Sequence, residues 1–171
     1  MEPISIRRVS AEDWQQLRGL RLRALREDPD AFGSTYAETR TRPEAFWRAW
    51  AAGHAHGDDH CTLLAFSATA TGGLVRCQRE PDRPAIFALY SMWVAPELRR
   101  RGAGLALLEA AERFAAAGGG RAIELTVMED AAPARALYER AGFRLDGRRE
   151  PTPNRDVDEL GMRRDLAPAG G

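Results

Sequence analysis

The sequence predicts a mixed α/β fold in one domain over residues 1–166, with a disordered tail at 167–171. Three observations point to it. Apolar periods of two and of 3.6 residues alternate along the chain, in the order β-α-α-β-β-β-α-β-α-β-β. The run Ala85-Ile86-Phe87-Ala88-Leu89-Tyr90-Ser91-Met92-Trp93-Val94 is nearly all apolar, as a central strand covered on both faces requires. Strand, helix and strand then follow one another from Ala85 to Met128, which makes a right-handed parallel crossover. No internal repeat and no linker divides the chain.

The elements can be justified in order. Ile4 to Val9 alternates weakly and reads as a short strand. Ser10 with Asp13 three residues on is a capping-box variant, opening a helix to about Arg26 with Leu17, Leu20 and Ala24 on one face. Asp28-Pro29-Asp30 breaks that helix, and Ala31 to Arg40 has no period and reads as a loop. Thr41 and Glu44 cap a second helix carrying Phe46, Trp47, Trp50 and Ala51. His54 to His60 is a polar turn. Cys61–Ala68 and Gly73–Arg79 read as strands of a hairpin turning at Thr71-Gly72, which leaves Cys61 and Cys77 out of register. Pro81 to Pro84 turns the chain into the apolar strand.

After Val94 the character changes. Pro96 to Arg101 is a charged loop, and Gly102 to Ala117 a helix with Leu107, Ala110, Ala111 and Phe114 on one side. Gly118-Gly119-Gly120 ends it. Ile123, Leu125 and Val127 alternate with polar residues in a further strand. Pro133 sits in the first turn of a helix with Ala134, Leu137, Tyr138 and Ala141 on its face, and Gly142 caps its end. Phe143–Arg148 and Asp158–Leu166 form a closing strand pair across a loop with Pro151 and Pro153.

Composition excludes several classes. The 25 basic residues, all arginine, balance 25 acidic ones, so no net charge draws the chain to nucleic acid or anionic membrane. The absence of lysine fits a GC-rich bacterial genome. Two cysteines do not make a disulfide framework and read as small buried hydrophobes. The N-terminus lacks a signal peptide's apolar stretch, and no apolar run reaches membrane-spanning length, so the cytoplasm is the expected compartment.

The chemistry is concentrated at Arg99-Arg100-Arg101-Gly102-Ala103-Gly104, where a strand runs through a glycine-bearing loop into a helix. The first amides of a helix have no intrahelical partner, and the helix dipole favours negative charge there. Gly102 and Gly104 allow a diphosphate close to the backbone, and three arginines add positive charge. Taken alone, the loop reads equally well as a tight turn with a solvated arginine run. No Gly-Lys-Ser/Thr follows, which excludes a Walker loop. A Rossmann fingerprint fits poorly, because Leu107 stands where its third glycine belongs.

Val94-x-Pro96-x-x-Arg99-x-x-Gly102-x-Gly104 resembles motif A of the GNAT acetyltransferases, and Ala134-Arg135-Ala136-Leu137-Tyr138-Glu139-Arg140-Ala141-Gly142-Phe143 resembles that family's motif B. Asp158-Glu159-Leu160-x-Met162 is similar to its last strand. The resemblance implies a twisted, mostly antiparallel sheet of about six to seven strands, about four helices, and a parallel strand pair that splays apart. It also implies acetyl-CoA as acyl donor. The pantetheine arm would pair with backbone at Met92, Trp93 and Val94, and the pyrophosphate would rest on amides from Arg99 through Arg100, Arg101, Gly102, Ala103 and Gly104 to Leu105. An amine would attack the thioester directly, with a backbone N–H near Trp93 or Val94 stabilising the oxyanion. Tyr138 is the candidate general acid for the leaving thiolate. Tyr90 and Ser91 could relay a proton from the amine, with Glu38 and Glu129 as further options for the base. Ala131 stands where the family often has an asparagine that holds the pantetheine arm, and Glu129 or Asp130 could substitute. Family members are often homodimers.

The expected acceptor is a primary amine of a small molecule; the alternatives are a protein acceptor, a non-catalytic acyl-CoA-binding module and a dinucleotide-binding protein. The segments that wall the family's acceptor groove carry Glu27, Asp28, Asp30, Glu38, Glu150, Asp156, Asp158 and Glu159, which would suit a cationic amine, although interspersed arginines also fit a mixed surface. Trp47 and Trp50 could stack on an acceptor, but at helical spacing they read first as core. His54 and His56 with Asp58 and Asp59 have no second ligand cluster to complete a metal site, so none is expected.

Overall fold

The structure is a computed structural model that describes residues 3–69, 71–153 and 155–168. The strands are β1 (Ser5–Arg8), β2 (His60–Phe66), β3 (Thr71–Glu80), β4 (Arg83–Val94), β5 (Ala122–Met128), β6 (Arg144–Pro151) and β7 (Asp158–Asp165). The helices are α1 (Trp14–Glu27), α2 (Tyr36–Thr39), α3 (Glu44–His54), α4 (Ala103–Ala117) and α5 (Ala132–Arg140). One seven-stranded sheet runs in the order β1-β2-β3-β4-β5-β7-β6, antiparallel throughout except for the β4–β5 pair. Two cores follow. On one face Leu17, Leu20 and Ala24 of α1 and Ala51 of α3 pack with Leu64, Leu74 and Trp93. On the other, Leu107, Leu108 and Ala111 of α4 pack with Phe87, Leu89, Ile123 and Tyr138. The mixed α/β expectation, with its parallel crossover, holds.

Several local expectations are corrected. Asp13 does accept from the Ser10 amide at 2.7 Å, but α1 begins only after a 3₁₀ turn at Ala11–Asp13. Inside the predicted loop at Ala31 to Arg40 lies α2, whose N-cap Thr35 accepts from the Glu38 amide at 3.2 Å. The cap of α3 is Pro43, not Thr41, whose hydroxyl instead donates to the Glu38 carbonyl at 2.7 Å. The predicted turn at Thr71-Gly72 lies inside β3, because the chain turns between Phe66 and Thr71. Gly73 is in the strand for close approach: an added Cβ would stand 3.1 Å from Leu107 Cδ1 and from Ala65 Cβ. With the turn moved, Cys61 and Cys77 face each other across β2 and β3. Both are free, buried thiols whose pKa burial raises, Cys61 to about 12. Of the tail expected to be disordered, residues 169–171 lie outside the described residues.

Candidate active site

The site begins where the sheet opens. β4 and β5 pair only at Ile86–Ala122, Phe87–Ile123 and Ala88–Glu124. Past those three pairs the strands separate, and the cause is a bulge in β4. Leu74 faces Trp93 and Arg76 faces Tyr90, so Ser91 and Met92 together oppose Val75. Ser91 takes a left-handed φ of 58° to make the bulge. A bulge bends its strand, while β5 stays in register with β7 as far as Met128–Glu159. The result is a slot between the ends of two parallel strands.

Backbone alternation decides which groups face that slot. The Ala95 amide donates to the Gly72 carbonyl at 2.7 Å, which places residue 95 toward β3. Successive residues alternate, so Trp93 also faces β3, whereas Met92 and Val94 face the slot. The Val94 carbonyl already accepts from Arg99 Nε at 2.8 Å. Of the two amides expected near an oxyanion, backbone alternation thus turns only that of Val94 toward the slot, while the Trp93 indole donates to Asp28 Oδ2 at 2.6 Å.

At the start of α4 the loop is shaped for an anion. Arg100 and Gly102 both have left-handed φ, 56° and 87°, and the backbone curls ahead of the helix. Gly102 is the N-cap and no side chain caps the helix, so its first-turn amides are left for a ligand or water. The two glycines serve different ends. An added Cβ at Gly102 would meet open space, so the residue is needed for its φ. One at Gly104 would stand 2.8 Å from Leu137 Cδ2, so its smallness seats α5 against α4. The expected anion row also shortens, because the Arg99 amide bonds the Pro96 carbonyl at 3.2 Å. The Arg99 guanidinium is held by Asp28 at 2.6 Å, and Arg101 Nη1 reaches the Glu97 carbonyl at 3.5 Å.

A cleft of about 450 Å³ opens from the slot, with Ser91 and Met92 on one wall, Leu125, Thr126 and Met128 on the other, and Tyr138 against them. Tyr138 is 8% exposed, and its hydroxyl makes no hydrogen bond to another described residue. Burial pushes its pKa up to about 12, so it stays a protonated donor. Tyr90 is exposed, donates to Glu80 Oε1 at 3.2 Å, and has its pKa raised by burial and by that carboxylate. Ala131 is the N-cap of α5, without a side-chain cap, beside a second hollow of about 320 Å³ that Asp28 and Asp130 also line. The two residues offered in place of an asparagine are otherwise engaged: Glu129 binds Arg149 at 2.6 Å and Asp130 binds Arg155 at 2.8 Å.

The acceptor end differs from expectation. Half of the eight acidic residues expected to wall it are engaged with arginines: Glu27 with Arg23, Asp28 with Arg99, Asp30 with Arg155 and Asp158 with Arg149. Among the described residues lining the cleft, Glu159 is the one carboxylate, against Arg21, Arg42 and Arg76. Trp47 is fully buried core, whereas Trp50 lines the cleft. The sequence signalled none of the three arginines; each sits in an element read for its apolar face or as loop. His54 Nδ1 is bonded to Thr62 Oγ1 at 3.0 Å, and burial, with His60 and Arg76 nearby, lowers its pKa to about 4. Among the described residues no cluster of three His, Cys, Asp or Glu side chains could hold a metal ion.

Comparison with known proteins fixes the family. The model of the Acetyltransferase (GNAT) family matches residues 15–143. The chain belongs to the GNAT acetyltransferases. An acetyltransferase of the GNAT family from Streptococcus pneumoniae superposes with a TM-score of 0.81 at 24% identity, covering 96% of this chain and 100% of that one. The yncA acetyltransferase of Salmonella typhimurium, solved with its cofactor acetyl-CoA, gives 0.80 at 16% identity, with 99% and 97% covered. The ribosomal-protein-S18-alanine N-acetyltransferase of Escherichia coli gives 0.70 at 21% identity, with 98% and 97% covered. No curated protein sequence matches the chain. As a GNAT enzyme the protein uses acetyl-CoA as acyl donor, and the slot and uncapped helix start fit that donor. Among the described residues, no helix is long and apolar enough to cross a membrane.

Proposed function

We propose that the enzyme acetylates the primary amine of a small molecule, by direct attack with donor and acceptor bound together. The observation that carries this reading is the cleft of about 450 Å³ running from the slot to Trp50, Phe46 and Phe32. Its volume is that of a small-molecule site, and those aromatic side chains give it part of its apolar lining.

Acetyl-CoA supplies an activated acetyl thioester. The residues around it would act as follows. Met92 and Val94 offer backbone to the pantetheine arm, and the Val94 N–H points where charge would develop on the thioester oxygen. The amides from Arg100 to Leu105, with Arg100 and Arg101, receive the pyrophosphate. Tyr138 donates a hydrogen bond to the departing sulfur. With its pKa near 12 against about 8.5 for a thiol, full proton transfer to the thiolate is uphill, so stabilisation of the sulfur is its main work. Glu159, unpaired with any arginine, is placed to receive the amine or its proton, with Tyr90 and Ser91 on the opposite wall.

An acceptor screen that follows release of free CoA thiol from acetyl-CoA tests the proposal. Turnover with small amines is the expected result. Turnover confined to peptides bearing a free N-terminus or side-chain amine would overturn it.

A further inference from the structure

Two arginines of the cleft have no acid to answer them. Arg21 on α1 is only 7% exposed, lies 4.5 Å over the Phe32 ring, and buries its Nη1 without a hydrogen-bond partner. Arg76 on β3 lies 5.5 Å over the Tyr90 ring and 6.0 Å over that of Trp50. Its Nη2 donates to the Gln78 side-chain oxygen, but its Nε is buried and unpartnered. Burial, with the Arg76 charge adding to it, lowers the Arg21 pKa to about 10, and burial lowers that of Arg76; a guanidinium nonetheless keeps its charge at neutral pH. Arg42 lines the same wall. Buried cations are ordinarily paired, because taking a charge from water without a partner is costly. Two guanidinium groups that line one cleft, each with a buried nitrogen left unpartnered, are arranged for an anion from outside.

We propose that the acceptor is an amine carrying an anionic group, a carboxylate or a phosphonate, that Arg21 and Arg76 hold while the amine reaches the slot. Guanidinium presents planar, paired donors that match either anion. Arg76 faces Tyr90 across the strands, and Ser91 and Met92 of the slot wall follow directly. The anion therefore sits one strand away from the reaction centre, so few bonds separate it from the amine. Glu159 supplies the opposite charge for that amine. This assignment rests on the small-amine reading above and reverses the cationic acceptor that the acidic sequence segments had suggested.

The test compares amino acids, their carboxamides and the matching aminoalkylphosphonates as acceptors, by CoA thiol release. Acids should exceed carboxamides in kcat/KM by about 10- to 100-fold, the size of a hydrogen bond to a charged group. Arg21→Gln and Arg76→Gln should erase that preference, mainly through KM. Whichever acid the enzyme favours separates the carboxylate from the phosphonate source. Equal turnover of acids and carboxamides overturns the anion site while leaving the small-amine reading intact. If no small amine turns over, that reading fails, and melting of the CoA-saturated protein with the same acids decides the site. A rise in Tm for the wild type and none for Arg76→Gln supports it; no rise overturns it. Arg21→Met, which keeps the stem and removes the unpaired charge, should melt at or above wild type. A melt several degrees lower would assign Arg21 to the fold and overturn its part in binding the anion.

Discussion

The two ends of the β4–β5 pair treat charge in opposite ways. At the closed end, Glu124 on β5 is 5% exposed and is met by Arg83 at 2.8 Å, Arg163 at 3.2 Å and Arg148 at 3.3 Å. Its pKa is lowered: burial works against the charged form, and the arginine hydrogen bonds outweigh it. At the open end, Arg21 and Arg76 are buried or half-buried with no carboxylate. Where the strands are zipped, the buried carboxylate is met by three arginines of the chain itself. Where they part, two guanidinium groups each keep a buried nitrogen without a partner.

If that contrast is right, changes at the open end should alter catalysis and spare the fold, and changes at the closed end should do the reverse. The largest effect is expected from Tyr138→Phe, which removes a donor to the departing sulfur and should lower kcat by about 10²–10³ with the acetyl-CoA KM nearly constant. An unchanged kcat would remove Tyr138 from the reaction. Next, Glu124→Gln leaves three arginines without their carboxylate. Because the arginines are partly exposed and can regain water, the loss should be about 2–3 kcal/mol in chemical denaturation, with the order of acceptor preference unchanged. A shift in that order would show that the two ends are coupled.

Smaller effects sharpen the picture. Gly102→Ala puts a Cβ on a left-handed residue and should cost about 1–2 kcal/mol, and it should raise the KM for acetyl-CoA by disturbing the curl before α4. A loss of stability with KM unchanged would separate that curl from the donor site. The smallest effect concerns His54. Its pKa is about 4 in the folded chain, against about 6.5 when unfolded. Between those values the unfolded state binds the extra proton, so stability falls as pH drops from about 6.5 to 4. His54→Gln should flatten that part of the Tm-against-pH curve, and a slope identical to wild type would show that other groups carry it.

The loop at Arg99–Gly104 and the helix of Tyr138 were legible because both are local: left-handed glycine, a helix start and an apolar face are written in adjacent residues. The short helix α2 was missed although Thr35 and Glu38 carry its cap, since four residues give no apolar period. The hairpin was misplaced because Thr71-Gly72-Gly73 reads as a turn, and only Leu107 and Ala65 packed against Gly73 show that it is a strand. That slip alone moved Cys61 and Cys77 out of register.

By itself, then, the sequence determined the order of the strands and of the longer helices, the crossover from β4 to β5 and the residues that start α4, since each depends on spacing within one or two turns of chain. The tertiary structure alone decided that β4 bulges at Ser91, that Val94 rather than Trp93 faces the slot, and that Arg21 and Arg76 meet in one cleft. Those outcomes follow from register and packing between segments far apart in the chain, where no local pattern records which side chains will converge.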